Sequence, residues 1–404
     1  MRGKGEKSVI EYRISDLEAG QRLDKFLKKF LKEAPGSFLY KMLRKKNIVC
    51  NGKKASGSEM LSVGDQICLY LSDETIQKFG GFLPSEYGME EGDHSPENKN
   101  SDHKNSIKKN GTNKNSDIKK SNHGEMQTDS KIPMYSGQQD RKGKDAAWSR
   151  QIQRWQKACQ SLEQEFGTVK ILYEDQHILV ADKPCGVLTQ GGESGEASLN
   201  DWLIGHLLQT EEITALQLRT FRPSACHRLD RNTTGMVICS KTLAGSQCIS
   251  SLLRERKIGK YYLAYVKGRV TEEGHLEGYL QKDGRINKAG LVSSKEQGDA
   301  ICTEYRPISH GRDRTLLEIH LITGKTHQIR LHLSSIGHPV LGDYKYGDRR
   351  YNDFYKKEYG ISSQLLHAGR LEFPVMEHPF QSLSELVLKA PLPDSFRRLE
   401  SEEG

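Results

Sequence analysis

The sequence predicts an α+β protein, and three observations lead to that prediction. Strand-like segments dominate the chain from Gly167 onward, with helical segments between them. Two short helical patterns and a hairpin signal occupy the first 72 residues, and a strongly polar stretch separates these two parts. Runs of strands with interspersed helices are typical of α+β domains. We therefore expect a small N-terminal module, a linker, and a mixed α/β domain with a central, largely antiparallel sheet.

Composition limits the class of protein. The 404-residue chain has room for two or three domains, and its 35% hydrophobic residues are sufficient for a packed core. No stretch approaches the roughly 20 apolar residues of a membrane span, and no apolar run that could serve as a signal follows Met1. The eight cysteines include no C-x-x-C pair. We expect a cytoplasmic protein with reduced cysteines, without a disulfide framework or zinc knuckle.

Positive charge is concentrated near the N-terminus. The chain carries 61 Lys and Arg against 53 Asp and Glu, a net charge of +8, and residues 1–72 hold 15 against 8, or +7. Such a basic module can bind RNA by neutralising phosphates. On charge alone, a basic surface that merely keeps the protein solvated is the simpler interpretation.

The N-terminal module is predicted at residues 8–72. Its apolar residues fall on one face of each of two helices: Leu23, Phe26, Leu27 and Phe30 on the first, and Leu39, Met42 and Leu43 on the second. Ser37 would cap the second helix. The pair Asn51-Gly52 suits the positive φ angles of a type I′ turn, which predicts a hairpin of 48–50 with 53–55, and residues 67–71 would form a closing strand.

A linker is predicted at residues 73–144. Only six of the 56 residues from 90 to 145 are apolar, too few to offset the conformational entropy of ordering the chain. We expect disorder there, with RNA contacts by its lysine runs as an alternative. An amphipathic helix over 145–167 would follow, capped by Asp145, with apolar residues at spacings of four and three: Trp148, Ile152, Trp155, Cys159, Leu162 and Phe166.

The second folded domain is predicted at residues 168–398. Its expected strands are 169–173, 178–181, 236–239, 261–266, 315–322 and 383–388, and its expected helices lie near 199–209, 243–256 and 326–336. The densest polar segment is His227-Arg-Leu-Asp-Arg-Asn-Thr-Thr-Gly235, where Asp230 lies between two arginines. Nearby cations favour an ionised carboxylate, which can act as nucleophile or base. Taken alone, an aspartate in a polar loop more often caps a turn.

Three blocks together resemble the RluA-type pseudouridine synthases. The Asp230 segment resembles the H-R-L-D-x-x-T-[ST]-G loop that carries the catalytic aspartate of that family. Lys260-Tyr-Tyr-Leu-Ala-Tyr-Val-Lys-Gly268 is similar to its K-x-Y-x-A-x-V-x-G, and Thr323-Gly-Lys-Thr-His-Gln-Ile-Arg-Leu-His-Leu333 resembles its T-G-[RK]-T-H-Q-I-R-x-H-L. Smaller similar pieces are Ile178 to Gly186, Gly337 to Asp343 and Leu366 to Ala368, so the resemblance covers about residues 168–395.

The resemblance implies roles for particular residues. Asp230, Tyr262 and Arg330 would be catalytic, with Arg330 as a bidentate partner that keeps Asp230 charged. Tyr262 would contact the detached base and help to remove the C5 proton, and Arg228 could fill the stack when the uridine flips out. Asp182 stands where the family usually has asparagine.

The N-terminal module resembles the S4 RNA-binding domain through Gln21-Arg-Leu-Asp-Lys25 and through Ser37 to Lys53. The cations expected to contact RNA are Arg22, Lys25, Lys41, Arg44, Lys45 and Lys53. Within the RluA-type group, the amino-acid sequence of the second helix looks most like that of the RluC branch, whose members modify large-subunit ribosomal RNA.

Together these resemblances imply an enzyme that isomerises uridine to pseudouridine in 23S ribosomal RNA, free or within an assembling large subunit, as a monomer without metal or cofactor. Three alternatives stay open. One is a non-catalytic RNA-binding assembly factor with a silent synthase domain, and another is a synthase acting on tRNA. The third is a zinc-dependent base deaminase, suggested only by Pro184-Cys185 and by His123-Gly-Glu125, although position 188 is leucine where a second cysteine is required.

Overall fold

The computed structural model describes residues 9–81, 137–191, 195–283 and 288–400. Most of the predicted linker, residues 82–136, lies outside the described residues. Residues 9–81 and 150–400 belong to one compact unit. None of the described helices combines the length and the apolar character needed to cross a membrane.

The N-terminal module is a four-stranded antiparallel sheet with helices beside it. Its elements are β1 (Val9–Arg13), α1 (Leu23–Phe30), α2 (Gly36–Arg44), β2 (Ile48–Cys50), β3 (Lys53–Lys54), β4 (Gln66–Tyr70) and α3 (Asp73–Lys78), with the strand order β1-β4-β2-β3. All four apolar residues predicted for α1 are completely buried. Asn51 and Gly52 have φ angles of 51° and 70°, which confirms the predicted hairpin turn.

Two predicted boundaries in this module are wrong. Helix α2 begins at Gly36 with Pro35 at its N-cap, so Ser37 lies inside the helix and does not cap it. The proline ring already sets a φ angle suited to a helix start, which places the start ahead of the serine. Helix α3 occupies residues predicted as linker, because Ser72 caps it by accepting a hydrogen bond from the Thr75 N–H and Ile76 is fully buried.

The second domain contains six helices and eleven strands within the described ranges. The helices are α4 (Gly137–Phe166), α5 (Leu199–Gln209), α6 (Leu243–Arg254), α7 (Gln328–Ser335), α8 (Arg349–Tyr359) and α9 (Asp394–Glu400). The strands are β5 (Lys170–Glu174), β6 (Ile178–Lys183), β7 (Ser224–Ala225), β8 (Thr234–Ser240), β9 (Gly259–Lys267), β10 (Gly274–Asp283), β11 (Lys288–Val292), β12 (Asp299–His310), β13 (Arg314–Leu321), β14 (Leu366–Glu372) and β15 (Val387–Lys389).

The predicted amphipathic helix exists as α4 but is longer than expected. It begins at Gly137, so Asp145 lies in its interior and is not a cap. The residues before Asp145 include good helix formers and no proline, so nothing in the sequence stops the helix there. Its buried residues are Trp155, Ala158, Cys159 and Leu162. Trp155 donates from Nε1 to Oδ1 of Asp201 on α5 at 3.1 Å, which confirms the predicted packing against the second domain.

All eleven strands join one sheet, which confirms the predicted central, largely antiparallel architecture. The main order is β11-β10-β12-β13-β9-β14-β8-β6-β5, with β15 on β14 and β7 on β8. Every pairing between the strands named above is antiparallel except that of β14 with β8. The strand predicted at 383–388 is wrong in extent, because a short 3₁₀ turn ends at Leu383 and β15 covers only Val387–Lys389.

The hydrophobic core lies on the faces of this sheet. Under α6, Ile249 packs with Ile178 on β6 and Ile238 on β8. A second cluster joins Tyr265 on β9 to residues of α8 and α9, namely Tyr355, Phe396 and Leu399. These two clusters fix the strands from which the polar loops described below emerge.

The N-terminal module is attached to the second domain through Glu18, whose side chain is completely buried. Tyr12 donates to its carboxylate at 2.6 Å from within the module, and Thr220 donates to the same oxygen at 2.8 Å from the second domain. A buried carboxyl group that accepts several hydrogen bonds holds its partners in defined positions. The two folded parts are therefore joined by a specific polar contact.

The parallel junction of β8 and β14 requires a glycine. Gly235 lies opposite Ala368, has a φ of 103°, and would place a Cβ atom 2.3 Å from the Ala368 carbonyl oxygen. The chain leaving the Asp230 loop therefore passes very close to the backbone of β14.

Gly235→Ala should lower the free energy of unfolding by about 3 kcal/mol or more, because strain at positive φ adds to a backbone clash. Gly167→Ala is the matched control, since Gly167 has a φ of 82° but open space where its Cβ would lie. We expect the control to lose only about 1 kcal/mol. Urea denaturation of both variants measures the difference, and equal losses would contradict the close approach to β14.

Candidate active site

The Asp230 loop connects β7 to β8, and backbone N–H groups on both sides of Asp230 are hydrogen-bonded. The Leu229 N–H donates to Oγ1 of Thr189 at 3.1 Å, and the Thr233 N–H donates to the Asp230 carbonyl at 3.1 Å. The backbone of Asp230 therefore does form a turn, as the simpler interpretation of the sequence expects. Its side chain, in contrast, takes part in a longer-range contact.

Arg330 on α7 is the ion-pair partner of Asp230. Its Nη1 donates to Oδ2 of Asp230 at 2.9 Å. The side chain of Arg330 is 7% exposed, whereas that of Asp230 is 25% exposed, so the aspartate is the member of the pair that solvent or a substrate can reach. Within the described residues, Oδ1 of Asp230 has no hydrogen-bond partner.

The prediction that Arg330 pairs bidentately with Asp230 is wrong. The bidentate partner is Asp343, which accepts from Nε at 2.6 Å and from Nη2 at 2.8 Å. That edge of the guanidinium matches the two oxygens of one carboxylate, which leaves only the remaining nitrogen for Asp230. The Asp343 side chain is 1% exposed and also accepts from the N–H groups of Lys345 and Tyr346.

Both members of the buried pair remain charged. Burial opposes the ionised form of Asp343, but Arg330 and the two backbone N–H groups outweigh it and hold the pKa of Asp343 below its usual range. Burial likewise opposes the charged form of Arg330, but Asp343 and Asp230 outweigh burial and raise the pKa of Arg330 above its usual value. Asp343 was not predicted as a site residue, although it ends the sequence block from Gly337 to Asp343.

His327 and Tyr346 complete this side of the site. His327 precedes α7 with a φ of 59°, and its Nδ1 lies 2.8 Å from Oη of Tyr346. Its Nε2 lies 3.9 Å from Oδ2 of Asp230. Burial lowers the pKa of His327, and Asp230 opposes that shift. The Arg330 guanidinium lies over the Tyr346 ring at 5.1 Å from its centroid, so one aromatic ring supports both groups.

Tyr262 lies on β9, the strand next to the β8–β14 junction. On β9 it pairs with Ala368 of β14, and Ala368 in turn pairs with Gly235 at the end of the Asp230 loop. Burial, reinforced by the charge of Asp230, raises the pKa of Tyr262 above its usual range. Tyr262 is therefore a neutral phenol in the resting site. Sheet register brings Tyr262 close to the end of the Asp230 loop.

Lys183 is a second residue near Asp230 whose role was not predicted. It is fully buried below the loop and donates from Nζ to three carbonyls, those of Pro184, Val187 and Arg231, at 2.8 to 3.0 Å. Burial lowers its pKa to about 7, whereas the charge of Asp230 opposes that change. Its position in the Lys183-Pro-Cys-Gly segment was visible in the sequence, but the loop that it binds was not.

His227 anchors the start of the same motif. Its Nε2 accepts a hydrogen bond from the Ile238 N–H at 3.1 Å, so the lone pair of that nitrogen is in use. Burial lowers the pKa of His227 to about 3. This histidine is thus a neutral structural acceptor that binds the loop to β8.

The predicted RNA contacts lie on the surface. Arg228 is exposed, and within the described residues it makes no hydrogen bond or ion pair with Asp230 or Arg330. The six cations of the N-terminal module are also exposed: Arg22, Lys25, Lys41, Arg44, Lys45 and Lys53. Arg22 is partly engaged, because it forms an ion pair with Asp24 at 3.1 Å.

Comparison with known proteins places this site within a recognised sequence family. The family described as RNA pseudouridylate synthase matches residues 177–335, a range that includes Asp230, Tyr262 and Arg330. Ribosomal large subunit pseudouridine synthase C of Vibrio cholerae is 26% identical over 94% of this chain and 92% of its own length. Synthase D of Nitrosomonas europaea is 33% identical over 59% of this chain and 67% of its own, and synthase D of Vibrio vulnificus is 32% identical over 57% and 69%.

Asp343→Asn should lower the free energy of unfolding by about 3 to 5 kcal/mol, because it leaves the buried Arg330 charge without its main partner. Glu255→Gln is the control, since Glu255 pairs with Lys257 at 2.8 Å while both side chains are about half exposed. The control should change stability very little. Chemical denaturation compares the two, and a small effect of Asp343→Asn would contradict the importance of the buried pair.

Proposed function

The chain belongs to the RNA pseudouridylate synthase family, and from that premise we propose that it converts uridines of large-subunit ribosomal RNA to pseudouridine, with Asp230 as the catalytic carboxylate. The observation that carries the proposal is the accessible Asp230 carboxylate held by Arg330, which the buried Asp343 fixes in turn. The relatives named above as ribosomal large subunit synthases support the substrate class. The enzyme would act as a monomer in the cytoplasm.

The reaction rearranges bonds within one nucleotide. The N1–C1′ bond breaks, the base turns, and a C5–C1′ bond forms, while a proton leaves C5 and N1 ends with a hydrogen. Atoms and electrons balance without an oxidant, a reductant or a group donor. The protein therefore has to supply a nucleophile, a means of holding the base, and a proton acceptor.

Asp230 is proposed as the nucleophile that attacks the uridine at C1′ or C6. Its Oδ2 accepts a hydrogen bond from Arg330, while Oδ1 has no hydrogen-bond partner among the described residues. Because Asp343 determines the orientation of the guanidinium, Asp230 is positioned before the substrate arrives. Preorganisation of this kind lowers the cost of reaching the reactive geometry.

Tyr262 is proposed to contact the base and to assist loss of the C5 proton. In the resting site its phenol is neutral, because burial and the charge of Asp230 both raise its pKa. When Asp230 forms a covalent bond to the substrate, its charge disappears, and one of these two causes is removed. The phenol would then ionise more easily at the step at which a proton has to leave.

The N-terminal module is proposed as the RNA-docking domain. Its exposed cations lie on α1, α2 and the β2–β3 hairpin, where phosphates could reach them. Arg228 would enter the RNA stack in place of the flipped uridine. The alternative of a non-catalytic assembly factor gives no reason for the Asp230–Arg330–Asp343 arrangement. Family membership overturns the deaminase alternative, whose His123-Gly-Glu125 segment lies outside the described residues.

Asp230→Asn should reduce pseudouridine formation by at least about a thousandfold, since the amide is not a nucleophile. Release of tritium from 5-tritiated uridine in large-subunit and transfer RNA transcripts measures the activity and separates the two substrate classes. Asp353→Asn, on the exposed side of α8, is the matched control that should retain wild-type activity. A fully active Asp230→Asn enzyme would refute the proposed nucleophile, and preferential turnover of transfer RNA would refute the proposed substrate.

Replacing Lys41, Arg44 and Lys45 with glutamine should weaken RNA binding. The slope of the logarithm of the association constant against the logarithm of the salt concentration should become shallower by about 2, because RNA binding then neutralises fewer phosphates and releases fewer counterions. Binding is measured by filter retention at several salt concentrations. The control replaces Arg350, Lys356 and Lys357, three exposed cations of α8, with glutamine. Equal slopes for the two triple variants would argue against docking through the N-terminal module.

A further inference from the structure

A row of polar side chains crosses the sheet on the face opposite Tyr262. Register pairs His275 of β10 with Glu304 of β12, and Glu304 with His320 of β13. Directly opposite residues in paired strands project from the same face. Glu277 and Cys302 also pair with each other, and each lies two residues from a member of the row. Five polar side chains from three strands therefore share one patch of the surface.

Three of these side chains converge on one point. Nε2 of His275 lies 3.1 Å from Oε1 of Glu277 and 3.6 Å from Sγ of Cys302. All three atoms lie within 4.8 Å of one another. In a tetrahedral zinc site the bonds are about 2.3 Å to sulfur and about 2.0 Å to nitrogen or oxygen. Two ligand atoms of such a site are therefore roughly 3.3 Å apart for a nitrogen–oxygen pair and roughly 3.5 Å apart for a nitrogen–sulfur pair. The spacing is therefore that of ligands around a single ion.

We propose that His275, Glu277 and Cys302 bind a divalent transition-metal cation of the zinc class, with the fourth coordination position open to solvent. Thiolate, imidazole and carboxylate together are a ligand set that suits zinc. Both His275 and Glu277 are exposed, so a cation from solution can reach them.

The residues around the cluster favour a role for His275 as a metal ligand. Nδ1 of His275 lies 3.4 Å from Oε1 of Glu304, on the side of the ring away from Cys302. The other oxygen of Glu304 accepts from Nδ1 of His320 at 3.0 Å, and His320 stacks on Tyr261. With a metal on the Nε2 side, Glu304 is placed to accept the Nδ1–H and so to orient the imidazole ring, as carboxylates do for histidine ligands.

A second cluster of possible ligands, formed by Glu174, His206 and Glu212, differs in one respect. The ammonium of Lys241 forms ion pairs with both of its glutamates, so a cation is already built into that cluster. In the part of the chain that the structure describes, Glu277 and Glu304 form ion pairs only with histidines. The β10–β12 cluster is therefore the one that still gains from binding a cation.

The proposed metal site is linked to α7 through the backbone of Cys302. Its N–H donates to Oγ1 of Thr323 at 2.8 Å, and its carbonyl accepts from Nε2 of Gln328 at 2.9 Å. Gln328 is the first residue of α7, the helix that presents Arg330. A cation that joins β10 to β12 would thus stabilise the strand on which this helix is anchored.

The experiment uses the full chain, reduced and freed of metal with a chelator, and then titrated with Co²⁺ as a spectroscopic probe. One equivalent of cobalt should produce a thiolate-to-cobalt charge-transfer absorption, which Zn²⁺ should displace. Zinc should also raise the melting temperature by a few degrees, because it binds the folded chain preferentially. Absence of a saturable one-equivalent signal would overturn the proposal.

Cys302→Ser should abolish the charge-transfer band and weaken zinc binding at least tenfold. Cys248→Ser is the matched control, because Cys248 is another half-buried free thiol that lies outside the cluster. Glu304→Gln should keep the band but weaken zinc binding about 10- to 100-fold, as expected for a residue that orients a ligand. Circular dichroism of the metal-free variants checks that each is folded. A band that survives Cys302→Ser, or that disappears equally in Cys248→Ser, would assign the metal to other groups.

Discussion

The geometry of the site depends on the buried ion pair between Arg330 and Asp343. Removing both charges from water is costly, and the cost is offset because the two groups form two parallel hydrogen bonds and Asp343 accepts two more from the backbone. The pair uses one edge of the guanidinium completely. The remaining nitrogen has a fixed direction, and Asp230 is found in that direction. The Asp230 carboxylate is thereby held by a group that is itself buried and hydrogen-bonded to Asp343.

The sheet supplies the framework for this arrangement. The parallel contact of β8 with β14 joins two antiparallel parts, and the close approach at Gly235 brings the end of the Asp230 loop against β14 and, through it, β9. Lys183 and His227 bind the loop from the side of β6 and β8. Two of the three sequence blocks meet there because one ends on β8 and the other lies on β9, and the third reaches Asp230 from α7 through Arg330.

The attachment of the N-terminal module follows a similar principle. Glu18 is completely buried and accepts hydrogen bonds from Tyr12 and from Thr220, which belong to the two different parts of the chain. Burial and the Glu18 charge raise the pKa of Tyr12, so the phenol remains a donor. In both contacts a buried carboxylate sets the position of another part of the chain: Asp343 that of the Arg330–Asp230 ion pair, and Glu18 that of the basic module.

Much of this protein was determined by the sequence itself, wherever the signal is local. The helical spacing from Leu23 to Phe30 and the Asn51-Gly52 turn are encoded within a few residues, and so are the blocks that contain Asp230, Tyr262 and Arg330. Only the tertiary structure decided that Asp343, and not Asp230, takes the bidentate edge of Arg330, and that His275, Glu277 and Cys302 meet. The reason is physical: such contacts depend on strand register and on burial between distant segments. The polar strands β10 and β12 carry little apolar alternation from which that register could be inferred.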